Sequence, residues 1–266
     1  MAFLLAILSY MIIGILAGFL AGLLGIGGGL ITVPSLLLIF HLLDFPTPYA
    51  MQMAVGTSLG AMVFTAASSA WAHYKQKGVN WHLFNLLTPG IVIGALLGAI
   101  IADELPSKQL ALLFGCFICL IGLYFLLPSK SLEERNCVPP HFLMCSVVAI
   151  FIGAISTILG IGGGMIIVPM LTAFHTPLRN AISTSAVIGF FIAFIGALSF
   201  LYLGLKQQTS TESLGYLYMP AFIFISLTSS ISAPFGAKLA HALPTAALKR
   251  IFGIVLIIVG ILMVYP

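Results

Sequence analysis

The pentapeptide Gly-Ile-Gly-Gly-Gly occurs twice, at 25–29 and 160–164. Each copy follows a long apolar run and precedes a proline, Pro34 or Pro169, by five residues. Glycine in a helix interior costs about 1 kcal/mol relative to alanine. Four glycines in five positions therefore break any helix that carries them. In an apolar chain such a break lies within a membrane, where irregular backbone persists only if protein buries it or it lines a cavity. Paired breaks at matching places in two halves mark a transporter binding site.

Composition places the chain in a bilayer. Hydrophobic residues make up 61% and charged residues 6%, with a mean hydropathy of +1.21. Soluble domains carry about a quarter charged residues. Runs without Asp, Glu, Lys or Arg cover 1–43, 45–74, 79–102 and 109–129, each near or above the ~20 residues of a membrane-crossing helix. Residues 1–24 have no basic n-region or credible cleavage site. They also match an internal segment of the second half, so they are expected to belong to the fold. Cys116 and Cys119 lie in an apolar run and read as core thiols. No spacing pairs Cys137 with Cys145.

The two halves are alike along their whole length. After the glycine block, Ala54-Val-Gly-Thr-Ser58 resembles Ala181-Ile-Ser-Thr-Ser185. Gly98 to Ala102 with Leu105-Pro106 matches Gly236 to Ala240 with Leu243-Pro244, and Leu113-Phe-Gly115 matches Ile251-Phe-Gly253. The expected organisation is a first repeat at 1–127, a polar cytoplasmic linker at 128–140 and a second repeat at 141–266. Each repeat holds five apolar segments, at about 1–24, 30–43, 49–72, 83–102 and 108–127, then 141–159, 165–174, 181–204, 216–237 and 246–265. The second of each set is near the length of a re-entrant or half helix. If each repeat crosses an odd number of times, Lys75, Lys77, Lys130, Arg135, Arg179, Lys238, Lys249 and Arg250 share one side. Only Lys108 and Lys206 fall opposite. The positive-inside rule favours that arrangement, which inverts the second repeat relative to the first. The expected fold class is all-α, a polytopic membrane protein of two inverted repeats with about 8–10 transmembrane segments.

Glycines at four-residue spacing, Gly14, Gly18 and Gly22, and Gly94 with Gly98, read as helix-packing contacts. Packing explains Gly27, Gly28, Gly29 and Gly162, Gly163, Gly164 less well, because three successive glycines point around the helix. Their N–H groups, and the positive start of a helix at Leu30 or Met165, favour an anion. Thr57 and Ser58, and Ser183, Thr184 and Ser185, open the next segment of each repeat. They can cap helices or donate to substrate oxygens. Gln52 and Asn180 could add amide donors, and Arg179 could steer an anion or mark the cytoplasmic face.

Asp44, Asp103, Glu104, Glu133, Glu134 and Glu212 all sit near segment ends. Acids within the membrane mark cation pathways and proton relays, so their placement argues against a sodium or metal transporter. The six histidines are also near ends and show no metal spacing. His73 and His175 could titrate in a proton-coupled cycle. No paired acids, no nucleophile with a base and no strand context for a Rossmann loop point to an enzyme. No catalytic residue, metal, cofactor or nucleic-acid partner is expected, and homo-oligomerisation stays open.

The paired Gly-Ile-Gly-Gly-Gly-x-x-x-Val-Pro blocks, the Ala-x-x-Thr-Ser blocks and the Gly-Ala…Leu-Pro…Phe-Gly pattern resemble the TauE/SafE family of sulfite and organosulfonate exporters. The resemblance implies an integral inner-membrane protein that moves small sulfur oxyanions. The expected substrate-binding residues are Gly27, Gly28, Gly29, Thr57, Ser58, Gly162, Gly163, Gly164, Thr184 and Ser185. Alternating access would carry a small-molecule anion through the lipid bilayer at a midplane site. An anion channel, or a scaffold in which the glycines only pack helices, remains the alternative.

Overall fold

The computed structural model describes residues 2–24, 27–43, 45, 48–75, 77–126, 142–174, 176–207, 209, 211–239 and 245–264. Gly25, Asp44, His141, His175, His241 and the 128–140 linker lie outside the described residues. The helices are α1 (Ala2–Leu24), α2 (Gly29–Leu42), α3 (Ala50–Lys75), α4 (Trp81–Glu104), α5 (Ser107–Leu126), α6 (Phe142–Ile158), α7 (Gly164–Ala173), α8 (Leu178–Gly204), α9 (Met219–Leu239) and α10 (Thr245–Val264). A short antiparallel hairpin, β1 (Ser213–Leu214) and β2 (Leu217–Tyr218), joins α8 to α9. Gly215, at φ +59°, makes its turn.

Six of the described helices are long and apolar enough to cross a membrane. The helices after the glycine breaks are not: α2 has 14 residues and α7 has 10. At 1.5 Å per residue they span only about 21 and 15 Å, against a hydrocarbon core of about 30 Å. Tyr10 of α1 and Phe40 of α2 both lie against Tyr218, with ring centroids 6.3 and 5.4 Å from it. The chain therefore turns back at the glycine break and returns to the end it came from.

Helices of the first half pack on helices of the second. The main pairs are α1 with α9, α4 with α6, α5 with α10 and α3 with α8. With α1 equivalent to α6 and α4 to α9, the first two pairs are one arrangement used twice. The central pair runs antiparallel: Gly56 of α3 lies against Phe200, whereas Gly78, just past its far end, lies against Ser183. The expected packing glycines do pack. A Cβ on Gly14 would meet the backbone of Ile225, one on Gly22 that of Ala233, and one on Gly94 that of Ile150. Close backbone approach of this kind is how helices associate in lipid.

Polarity is distributed as a bilayer requires. Leu16, Leu97, Leu120, Phe151, Leu198, Leu227 and Ile231 are exposed, while Thr57, Ser58, Thr65, Ser69, Ser156, Thr157, Thr184 and Ser185 are buried. Lipid solvates the first set, and only the protein interior can accommodate the second.

Candidate anion site at the glycine crossing

The two broken helices meet. Gly27 at the α1–α2 turn has φ +68°, as does Gly163 before α7, and Gly160 has φ +67°. That left-handed region is open to glycine at little cost. A Cβ on Gly27 would stand 2.9 Å from Cα of Gly162, and one on Gly29 would run into the carbonyl oxygen of Gly160. Met62, midway along α3, covers both turns: its Sδ lies 2.6 Å from the Cβ position of Gly27 and 2.8 Å from that of Gly162.

Both short helices start at this crossing, one residue earlier than Leu30 and Met165. The Gly28 carbonyl accepts from Ile31 and Thr32 N–H, each at 3.1 Å, and the Gly163 carbonyl from Ile166 at 3.0 Å and Ile167 at 2.9 Å. No side chain caps either start. The first N–H groups of a helix have no partner within it and carry its partial positive charge. Two such ends therefore converge on one place.

The expected hydroxyls divide into two kinds. Ser58 Oγ donates to the Gly160 carbonyl at 3.1 Å and ties α3 to the second break. Ser185 lines the space beside Gly27 and Gly162. Thr57 and Thr184 instead hold loops: their Oγ1 atoms accept from Tyr218 N–H and Asn80 N–H, both at 2.9 Å. These are equivalent bonds in the two halves. Neither threonine is a cap, because α3 and α8 begin well upstream, at Ala50 and Leu178. Gln52 lies away from the crossing; its amide donates to the Leu105 carbonyl at 2.6 Å and its oxygen accepts from Ser107 at 2.7 Å. Arg179, Lys75 at the end of α3 and Lys77 just beyond it are exposed.

Residues that sequence reasoning missed complete the site. A cavity of about 20 Å³ is lined by Gly27, Gly162, Met62, Thr65, Ser69 and Ser185, among others. A second, of about 10 Å³, lies between Gly28, Gly29, Ser58, Thr65 and Ser229. Thr65 Oγ1 and Ser229 Oγ are 2.5 Å apart. The signal was helical spacing: Ser58, Thr65 and Ser69 fall on one face of α3. Among the described residues no charged side chain lines either cavity. Among the described residues no group of His, Cys, Asp and Glu could hold a metal ion.

Carboxylates gather at the hairpin end instead. Tyr216 donates to Asp103 at 2.6 Å and Tyr218 to Glu212 at 2.9 Å. Burial, reinforced by these acids, pushes both phenols above their ordinary range and keeps them neutral.

The family described as Sulfite exporter TauE/SafE matches residues 10–263. The chain belongs to the TauE/SafE family. It is 35% identical over 258 residues to a probable membrane transporter protein of Haemophilus influenzae, covering 96% of this chain and 97% of that one. A probable membrane transporter protein of Methanocaldococcus jannaschii is 28% identical, with 98% and 96% covered. The probable membrane transporter protein YunE of Bacillus subtilis is also 28% identical, with 96% of each chain covered. No solved structure matches the chain. This TauE/SafE member is a multi-pass membrane transporter, and the family match takes in both glycine blocks and all the residues of the crossing.

Proposed function

We propose that the protein is a secondary transporter of a small anion, namely sulfite, a sulfonate or a related sulfur oxyanion, working by alternating access around the glycine crossing. The meeting of Gly27 with Gly162 carries this reading, because it brings two uncapped helix starts from opposite halves to one buried point. Backbone N–H groups of Gly27 to Gly29 and Gly162 to Gly164 replace part of the anion's hydration shell, as helix N-termini do for oxyanions. Ser58 and Ser185 stand beside them. Thr57 and Thr184 contribute by fixing the loops that precede α9 and α4. A cavity of about 20 Å³ holds about one water and is too small for a sulfur oxyanion. Loading therefore requires one half to rock against the other.

Charge placement sets the orientation. Lys75, Lys77 and Arg179 share one end, where Gly78 faces Ser183 and the Arg179 backbone. Lys206 lies just past the end of α8 at the other, where Tyr216 meets Asp103. The first end is assigned to the cytoplasm of a bacterial inner membrane.

Labelled sulfite or a sulfonate offered to proteoliposomes tests the function. Saturable uptake with counterflow is expected. Ohmic single-channel currents would replace the carrier with a channel, and no flux of any sulfur oxyanion would end the substrate assignment. Gly163→Val, which forces a side chain onto a left-handed residue, is expected to abolish uptake in protein that still reaches the membrane.

A further inference from the structure

Ser69 breaks a habit of the hydroxyls in this fold. A serine or threonine within a helix commonly satisfies its hydroxyl on the carbonyl one turn back. Thr65 does so on Ala61 at 3.1 Å, Thr88 on Phe84 at 2.6 Å and Ser183 on Arg179 at 2.8 Å. Ser69 is 4% exposed, yet among the described residues its Oγ has no hydrogen-bond partner. It lines the cavity that holds Gly27 and Gly162. A buried hydroxyl in that position bears the full cost of leaving water, and a group that enters the cavity can offset it.

The second half also leaves buried hydroxyls without a partner among the described residues, Ser156 and Thr157, but they belong to α6 and line neither cavity, and α8 has no hydroxyl at the positions equivalent to Thr65 and Ser69. Aligning Thr57-Ser58 with Thr184-Ser185 places Ile192 opposite Thr65, Gly196 opposite Ser69 and Phe200 opposite His73. Phe200 is fully buried and packs edge-on to Tyr216, with centroids 6.0 Å apart. The glycine blocks and the Ser58–Ser185 pair are thus common to the two halves, whereas the hydroxyls at Thr65 and Ser69 are not.

We propose that Ser69 Oγ on α3 donates its hydrogen bond directly to an oxygen of the bound oxyanion. Thr65 and Ser185 complete the polar wall, and the α8 face from Ile192 to Phe200 supplies none of it. This rests on the transport reading above and names the ligand group for it. The chemistry fits: a hydroxyl offers one donor to an oxyanion, and a bond to a charged acceptor is stronger than one between neutral groups.

The experiment uses the full-length protein with sodium sulfite and sodium methanesulfonate as probes. Thermal stabilisation in detergent reads binding, and initial rates in proteoliposomes read KM and kcat. If Ser69 is the donor, Ser69→Ala raises the sulfite KM about tenfold or more with little change in kcat, and Ser69→Thr recovers most of the affinity. An unchanged KM in folded Ser69→Ala protein overturns the assignment while the transport reading stands. Absence of both stabilisation and flux in the wild type removes the transport reading itself. Should Ser69→Ala fail to accumulate, Ser69→Cys decides. Its weak S–H donor is expected to lower affinity, and wild-type affinity in that variant overturns the proposal.

Discussion

Gly27 and Gly162 lie back to back where the two glycine breaks cross, each occupying the space a side chain of the other would need. The contact joins the two halves at the one level where both have lost their helical backbone. Its consequences are unequal. Met62 Sδ is the nearest neighbour of both Cβ positions, but Gly27 sits at φ +68° with Gly162 Cα at 2.9 Å, whereas Gly162 is outside the left-handed region and meets Gly27 Cα at 3.2 Å. Overpacking costs about 1–3 kcal/mol, and a left-handed non-glycine residue adds roughly 1–2 kcal/mol. Gly27→Ala is therefore expected to lower the melting temperature in detergent more than Gly162→Ala. Equal losses would refute the asymmetry.

The threonine bonds to Tyr218 and Asn80 predict a matched pair of stability effects. Replacing Thr57 or Thr184 with valine keeps the shape but leaves a largely buried N–H without its acceptor, at about 1–3 kcal/mol. Each variant should melt lower than the wild type. Hydrogen exchange should speed up at 213–218 in Thr57→Val and at 78–81 in Thr184→Val. Exchange unchanged at both loops would mean that the hydroxyls do not hold them.

Tyr216 gives the protein an alkaline limit. Its phenol is held neutral by burial and by Asp103, so its folded pKa lies above the ordinary value of about 10. The folded state then binds the proton more tightly than the unfolded state. The stabilisation is fully present below pH about 10 and drains away as pH rises above it. Tyr216→Phe should lose about 1.5–3 kcal/mol at pH 7 with the Asp103 bond. Its melting temperature should fall less steeply than that of the wild type between pH 10 and 11. Parallel curves would rule out this phenol as the titrating group.

The α4–α6 contact offers a control remote from the crossing. A Cβ on Gly94 would strike the Ile150 carbonyl oxygen, and backbone cannot yield as a side-chain tip can. Gly94→Leu should prevent the helices from closing, which would appear as loss of monodisperse protein on size exclusion. Ile93→Leu, one residue away and facing outward, should behave as wild type.

Much of the fold was legible along the chain. Apolar length marked the helices to within a few residues, glycine runs marked the two breaks, and four-residue glycine spacing marked the α1 and α4 contacts, because each is a local consequence of backbone chemistry. The hairpin at 213–218 was not legible, since a two-residue strand pair leaves no periodicity and owes its place to burial of Tyr216 and Tyr218. The candidate site was legible in its backbone half. Its side-chain half was not: Thr57 and Ser58 are neighbours in sequence, yet one faces a loop and the other the Gly160 carbonyl.

The sequence by itself determined that this chain lives in a bilayer, that its two halves carry matching motifs in the same order, and that each half must break at its glycine block. Only the tertiary structure decided that the breaks touch, that Met62 covers them and that, among the described residues, Ser69 beside the cavity keeps a hydroxyl without a partner. The physical reason is one of range. Helix breaking and hydropathy act within a few residues. A cavity is made by packing α3 against elements more than a hundred residues away, and no local pattern records which hydroxyl that packing leaves without a partner.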